Sequence, residues 1–242
     1  MAISENSFAD RLNRGNDMHA IIDGFNPLFT PEDPNIAPGA FQSYLNGVEQ
    51  ANDDVSDAEA TLTPMTDERF ASADALKDKA LRLKDHVGAN IAWKKHIKAV
   101  SAAADAVRGY RAPKKPAAPA PGATPVPPKP ARQGARSQQG FADLEKLFGK
   151  LISQIKKVTG FSAAANSGLT IAAIEAQDAA FTLLNDNVST AEANLDEAQR
   201  IRKDYYDGEN GLSEKMKCIK KAVRAQYGIK STQYAAVNAV KL

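Results

Sequence analysis

The fold of this chain is decided by NDDVSDAEATL, residues 52–62, which returns as NDNVSTAEANL at residues 185–195. Eight of the eleven positions are identical, and the offset between the two stretches is a constant 133 residues. A period of 133 residues is longer than one helical hairpin. It therefore indicates that a whole domain was duplicated. We therefore predict a tandem of two related domains.

The similarity extends to both sides of this repeat. The further matches at the same offset are Phe8–Asp10 with Phe141–Asp143 and Arg69 with Arg202. Farther along, Gly88 corresponds to Gly228 at an offset of 140, so the second copy carries about one extra heptad. We place this insertion near Tyr205–Gly211. A whole heptad would keep an apolar helical seam in phase.

Apolar residues recur every seven positions in both copies. The predicted core seam is Phe41, Val48, Val55 and Leu62 in the first copy, and Ile174, Phe181, Val188 and Leu195 in the second. This spacing is typical of a long helix that packs on other helices in the manner of a coiled coil. No alternating run of strand length competes with it. We predict an all-α fold, built as a tandem duplication of an antiparallel bundle of roughly four helices.

Helix ends are expected at prolines, glycines and capping residues. Pro64 is expected to kink or restart the first seam helix, with Thr63 as the cap of the new start. The other expected helices are Asp143–Val158 before the second seam, then Leu76–Val87 and Ile91–Tyr110 in copy one, and Leu212–Tyr227 and Thr232–Val240 in copy two.

Eight of the 13 prolines lie between Pro113 and Pro130, and residues 111–136 contain six basic and no acidic side chains. Proline lacks the amide donor that helices and sheets need, so an extended spacer is predicted here. We divide the chain into a first bundle, residues 1–110, a Pro/Ala/Lys-rich extended linker, residues 111–139, and a second bundle, residues 140–242. Two other roles stay open for the linker, namely a basic tether and a docking motif at Pro125–Lys129 for an aromatic-lined partner.

Catalytic signals are absent from the sequence. The single cysteine, Cys218, cannot form an intrachain disulfide, and the three histidines do not share a helical face at metal-ligand spacing. The sequence has no phosphate-binding glycine loop and no Gly-x-Ser-x-Gly element. We therefore expect no catalytic residue, metal, cofactor or small-molecule substrate, and we expect a non-enzymatic protein.

The start of the sequence has no apolar segment of signal-peptide length, and no run of about 18 apolar residues occurs anywhere. These two observations predict a cytoplasmic protein without a membrane span. The net charge is only +2, but basic residues are concentrated in two regions. The resulting candidate contact surface consists of Lys114, Lys115, Lys129, Arg132 and Arg136 in the linker, and Lys217, Lys220, Lys221 and Arg224 on one face of the Leu212–Tyr227 helix.

The stretch Tyr227-Gly228-Ile229-Lys230-Ser231-Thr232-Gln233-Tyr234 resembles a group of uncharacterised bacterial helical-bundle proteins that carry Tyr-Gly-x-x-Ser-x-x-Tyr near the C-terminus. The first copy keeps Gly88 but has Ile91 and Lys94 where the second has Ser231 and Tyr234. The resemblance implies a helical bundle and brings no activity, ligand or site.

Two functions remain compatible with these features. The first is a structural or interaction protein that presents bundle faces to a protein partner or to itself, by self-assembly. The alternative is a nucleic-acid-associated protein that uses the basic linker and the lysine-rich helix face, because Lys and Arg neutralise phosphates without sequence preference.

Overall fold

The computed structural model describes residues 5–109 and 140–241, and these residues contain helices and no strand. The predicted all-α class is confirmed. The α-helices are α1 Glu5–Asp23, α2 Pro38–Ala89, α3 Ile97–Val107, α4 Phe141–Lys156, α5 Ile171–Asp207, α6 Leu212–Tyr227 and α7 Thr232–Ala239. Short 3-10 helices lie at Pro34–Ile36, Ile91–His96 and Ala165–Ser167. None of the helices in the described ranges is both long and apolar enough to cross a membrane.

The helices form two compact units whose limits differ from the predicted domains. Unit 1 comprises Met1–Thr63 and Thr190–Leu242, and unit 2 comprises Pro64–Ser189. Each unit therefore takes residues from both halves of the sequence. The observed units divide at residues 63 and 190, whereas the predicted domains divide at residues 110 and 140. The physical reason is that the apolar seam of each long helix is covered partly by segments from the other half. The predicted linker, residues 111–139, lies outside the described residues.

Helix α2 runs without interruption past Pro64, so the predicted restart at Thr63 and the separate helix Leu76–Val87 are wrong. A proline inside a helix leaves the carbonyl four residues earlier without its amide donor. Here that carbonyl belongs to Ala60, and both Ala60 and Pro64 are exposed, so water can serve the carbonyl. The Thr63 hydroxyl donates to the Glu59 carbonyl oxygen at 2.9 Å instead of capping a new helix.

Near Tyr205–Gly211, where we predicted an inserted heptad, the helix ends instead of continuing. Helix α5 ends at Asp207 and α6 begins at Leu212. The Gly208 amide donates to the Asp204 carbonyl oxygen, and the Gly211 amide donates to the Gly208 carbonyl oxygen, both at 2.9 Å. A Cβ atom on Gly211 would lie only 2.8 Å from the Tyr206 carbonyl oxygen, so this tight turn requires glycine there.

The core of unit 1 joins α1, the first part of α2, the end of α5 and α6. Its largest fully buried side chains include Met18 and Ile22 of α1, Phe41 of α2 and Tyr206 of α5. The Tyr206 hydroxyl donates to the Phe8 carbonyl oxygen at 3.0 Å and accepts from Asn52 Nδ2 at 2.9 Å. Tyr206 is therefore both an apolar anchor and a polar link between three helices.

The core of unit 2 joins the later part of α2 with α3, α4 and the first part of α5. Leu83 of α2, Val100 of α3, Phe148 of α4 and Phe181 of α5 are fully buried in it. Trp93, in the 3-10 helix before α3, is also buried in this core. Its ring centroid lies 5.4 Å from that of Phe161, which follows α4.

Six of the eight predicted seam residues are buried. These are Phe41, Val48, Val55, Ile174, Phe181 and Val188. Leu62 and Leu195 are only half-buried. Both lie near the positions where α2 and α5 pass from one unit to the next, at Thr63 and Thr190.

Candidate docking groove

The C-terminal half of α6 holds the segment between α1 and α2 against it through side-chain hydrogen bonds. Gln226 Nε2 donates to the Leu28 carbonyl oxygen at 2.9 Å, and Gln226 Oε1 accepts from the Thr30 amide at 3.1 Å. The Tyr227 hydroxyl donates to the Pro27 carbonyl oxygen at 2.7 Å. Phe25 and Phe29 of the same segment are buried in the core of unit 1. The segment therefore forms a wall along α6.

At the other end of α6, Arg11 of α1 fixes the turn that connects α5 to α6. Its Nη2 donates to the Tyr206 carbonyl oxygen at 2.9 Å, to Asp207 Oδ1 at 2.6 Å and to Ser213 Oγ at 2.9 Å. The Arg11 guanidinium also lies 4.9 Å from the centroid of the Tyr206 ring. These contacts give the turn a defined position at the N-terminus of α6.

Three cavities in unit 1 share lining residues and form what we call the α6 groove. One cavity of about 450 Å³ lies between Thr30–Asp33 and the Ala222–Gln226 stretch of α6. A second, of about 350 Å³, shares Asp33 and Ile36 with the first. The third, of about 460 Å³, shares Glu209 and Asn210 with the second. The groove thus extends from the turn before α6 to the last residues of that helix.

The third cavity, which we call the tyrosine cavity, is lined by two aromatic rings. The ring centroids of Tyr44 and Tyr205 lie 5.6 Å apart, with an angle of 56° between the planes. The Tyr44 hydroxyl donates to the Tyr205 carbonyl oxygen at 2.6 Å. Burial raises the pKa of Tyr44 to about 12, with a smaller contribution from Tyr205 and Tyr206, so this hydroxyl is a proton donor at neutral pH.

Carboxylates outnumber cations along the α6 groove. The acidic lining residues are Glu32, Asp33, Asp204, Glu209 and Glu214, and the one basic lining residue is Lys215. Lys215 Nζ lies 4.7 Å from the centroid of the Tyr44 ring. Asp33 accepts from the Asn35 amide, Asp204 pairs with Arg200 and Glu214 pairs with Lys217. Within the described part of the chain, Glu32 and Glu209 have no ion-pair partner.

The hydrogen bond from Lys217 to Glu214 Oε1, 2.5 Å long, holds the pKa of Glu214 below its ordinary value. Cys218, one turn farther along α6, lines the middle cavity as an exposed free thiol. In the described residues no group of three or more His, Cys, Asp and Glu side chains could hold a metal ion. The groove therefore offers aromatic faces, carboxylates and a thiol for contacts with a ligand.

Of the four predicted basic residues on α6, Lys217 and Lys220 make polar contacts within the chain. Lys217 is paired with Glu214, and Lys220 Nζ donates to the Val240 carbonyl oxygen at 2.5 Å, just after the end of α7. Burial lowers the pKa of Lys220. Lys221 and Arg224 are exposed. The five linker residues of that surface, Lys114, Lys115, Lys129, Arg132 and Arg136, lie outside the described residues.

The groove itself was not predicted. Its wall before α2 has no heptad pattern, and the side chains that hold it, Gln226 and Tyr227, come from the other end of the sequence. One signal was available in the sequence, because Pro27, Pro31, Pro34 and Pro38 follow one another at intervals of three or four residues. Closely spaced prolines restrict the backbone and favour a defined loop.

Unit 2 holds a separate polar cluster between α4 and α5. Asn185 Nδ2 donates to Glu145 Oε2 at 3.0 Å, and Asp178 lies on the same side of α5, two turns earlier. Burial raises the pKa of the Asp178 carboxyl, and the neighbouring charge of Glu145 raises it further. Asp178 Oδ1 and Asn185 Oδ1 accept no hydrogen bond from the described residues.

We expect Asp178→Asn to stabilise the protein at neutral pH. Because the pKa of Asp178 is raised in the folded state, protonated Asp178 contributes to the free energy of unfolding. This contribution is fully present below the ordinary pKa of 3.8 and is lost as the pH rises through the raised pKa. Asparagine is neutral like the protonated carboxyl, so it does not lose this contribution at neutral pH. The gain at neutral pH should be below about 1 kcal/mol, because solvent screens this partly exposed pair. Urea unfolding at several pH values measures it. Asp67→Asn, at an exposed position of α2 in the same unit, is the matched control, and an equal gain there at neutral pH would contradict this expectation.

No protein-family model, curated protein or solved structure matches the chain.

Proposed function

We propose that this chain is a non-enzymatic interaction protein, in which a duplicated helical scaffold presents the α6 groove to a protein partner. The observation that carries the proposal is the groove itself, three adjoining cavities along one helix in unit 1. Protein-binding grooves combine apolar and aromatic pockets with a polar rim, and the α6 groove has both.

Equivalent contacts in the two units support the duplicated scaffold. In unit 1 the Arg202 guanidinium lies 4.4 Å from the centroid of the Phe8 ring. In unit 2 the Arg69 guanidinium lies 4.3 Å from the centroid of the Phe141 ring. Phe8 corresponds to Phe141, and Arg69 to Arg202, in the repeat. Each copy therefore supplies the phenylalanine to one unit and the arginine to the other.

A second pair of contacts also joins, within each unit, a residue of one copy to a residue of the other. Gln226 Nε2 donates to the Leu28 carbonyl oxygen in unit 1. At the offset of 140, Gln226 corresponds to His86, whose Nε2 lies 2.8 Å from the Ser162 carbonyl oxygen in unit 2. Only a protonated Nε2 can donate to this oxygen. We infer that the duplicated halves exchange segments, so that each unit is built from half of each copy.

The α6 groove lies where the two copies differ. Its first wall is the proline-containing segment between α1 and α2, and its other end is the turn made by the inserted residues near Gly208 and Gly211. In a duplicated scaffold the shared positions maintain the fold, and the differing segments are available for a specific contact. This supports a binding role for unit 1.

Affinity capture with a blocked groove tests the proposed function. Ala225 is exposed and lines the first cavity, so Ala225→Arg should fill that cavity without burying a charge in the core. Immobilised wild-type chain should retain a partner from a lysate of cells that naturally make the protein, and Ala225→Arg should lose that partner. Ala180→Arg, at an exposed position of α5 in unit 2, is the matched control. Equal retention by both variants would refute the role of the groove.

The alternative, association with nucleic acid, is supported by the exposure of Lys221 and Arg224 on α6. Retention of duplex DNA should then fall steeply with added salt and weaken in the double variant Lys221→Gln, Arg224→Gln. Retention that is unaffected by this double variant would remove α6 from the alternative.

A further inference from the structure

We propose that the tyrosine cavity of the α6 groove binds the proline-rich basic stretch PVPPKPAR, Pro125–Arg132, of a second copy of the chain. This inference rests on the proposed function and names the partner that the groove receives. The stretch lies outside the described residues.

The rings of Tyr44 and Tyr205 have the chemistry that recognises proline. Proline-rich peptides bind grooves lined by aromatic side chains, because the flat pyrrolidine rings pack on the aromatic faces and the peptide loses little entropy. Both rings are held in place. The Tyr44 hydroxyl is bonded to the Tyr205 carbonyl oxygen, and a Cβ atom on Gly47 would lie 3.1 Å from the Tyr205 hydroxyl oxygen. The cavity beside the rings, about 460 Å³, can accommodate proline side chains.

The carboxylates of the tyrosine cavity complement the charges of this stretch. Glu209 and Asp204 line the cavity together with the rings, and Glu209 has no ion-pair partner among the described residues. A polyproline II peptide has three residues per turn and rises about 3.1 Å per residue. In a peptide of this sequence Lys129 and Arg132 would therefore lie on one face, about 9 Å apart. The prolines between and before them fall on the other faces.

The chain supplies both partners of this interaction. Residues 111–136 carry six basic side chains and no acidic ones, whereas the α6 groove is lined by five carboxylates and one lysine. Opposite charges on two parts of one sequence favour association between copies, because each copy presents a donor segment and an acceptor groove. This arrangement gives a head-to-tail contact that depends on protein concentration and on salt.

Binding of a fluorescein-labelled peptide, residues 121–136, to the full chain tests the proposal by fluorescence anisotropy. The receptor carries Pro125→Ala, Pro127→Ala, Pro128→Ala, Lys129→Gln and Arg132→Gln, so that its own stretch does not compete. Saturable binding that weakens with added salt is expected. Glu209→Lys in the receptor should weaken it about tenfold. Glu68→Lys, at an exposed position of α2 in unit 2, should leave it unchanged.

A charge reversal and the state of association complete the test. A peptide with Lys129→Glu and Arg132→Glu should regain binding to the Glu209→Lys receptor. The wild-type chain should self-associate with increasing concentration in sedimentation velocity, and both Glu209→Lys and the receptor variant should not. Absent peptide binding, equal binding by Glu209→Lys, or a wild-type chain that stays monomeric would overturn the proposal. If peptide binding is absent while Ala225→Arg still loses a captured partner, the partner assigned here is wrong and the interaction role stands.

Discussion

Expressed separately, the predicted halves of the chain, residues 1–110 and 140–242, will not form folded monomers. Each half carries apolar surface that the other half covers in the intact chain. In unit 1, Met18 and Phe41 from the first half share a core with Tyr206 and Met216 from the second. A half alone leaves these side chains in water and loses the hydrophobic term that offsets chain entropy. Circular dichroism during heating should show no cooperative transition for either half at low concentration.

Co-expression of the two halves as separate chains is the control for this prediction. Mixed halves should recover a cooperative transition, because both cores can then form between them. A half that folds alone should do so only as an oligomer whose formation depends on concentration. A folded monomer of either half would contradict the observed division of the cores.

Phe181→Ala should destabilise unit 2 by about 3–5 kcal/mol, because it removes a fully buried aromatic ring and leaves a cavity. Leu183→Ala, two residues farther along α5, is the matched control, since Leu183 is 61% exposed. Its cost should stay within about 0.5 kcal/mol. Urea unfolding followed by the fluorescence of Trp93 reports on the same core, because Trp93 is the only tryptophan and is buried in unit 2.

Equal costs for Phe181→Ala and Leu183→Ala would mean that the heptad register does not describe the buried face of α5. A large cost for Leu183→Ala alone would place the other face inward. Either result would contradict the core of unit 2 described above.

The heptad pattern predicted six of the eight seam side chains correctly as buried, because periodicity in one helix reports directly on the face that avoids water. Phe41, Val48 and Phe181 illustrate this, since each is fully buried where the pattern placed it. The pattern does not report what covers the seam. Phe8 matches Phe141 in the repeat, and Arg69 matches Arg202. These matches are the same whether each phenylalanine contacts the arginine of its own copy or that of the other copy. The repeat alone therefore does not predict which half of the sequence covers which part of the seam.

The helix ends were predicted less well, because local signals were outweighed by context. Pro64 is a strong breaker inside a core helix but is tolerated on the exposed side of α2. The last helix of copy one was predicted as Ile91–Tyr110, but its first turns form a 3-10 helix capped by Asn90, and α3 starts at Ile97. The α6 groove depends on contacts between residues nearly 200 positions apart, such as Gln226 with Leu28, which no local pattern contains.

Cleavage of the linker in the folded chain tests most directly whether each unit contains both halves of the sequence. A protease site introduced between residues 111 and 139 allows the native protein to be cut after it has folded. Size-exclusion chromatography with light scattering should then show both fragments in one particle. The mass of that particle should equal the mass before cleavage, which is 25.9 kDa for one chain or a multiple of it for an oligomer. Two separate folded particles, each containing one fragment, would contradict the account.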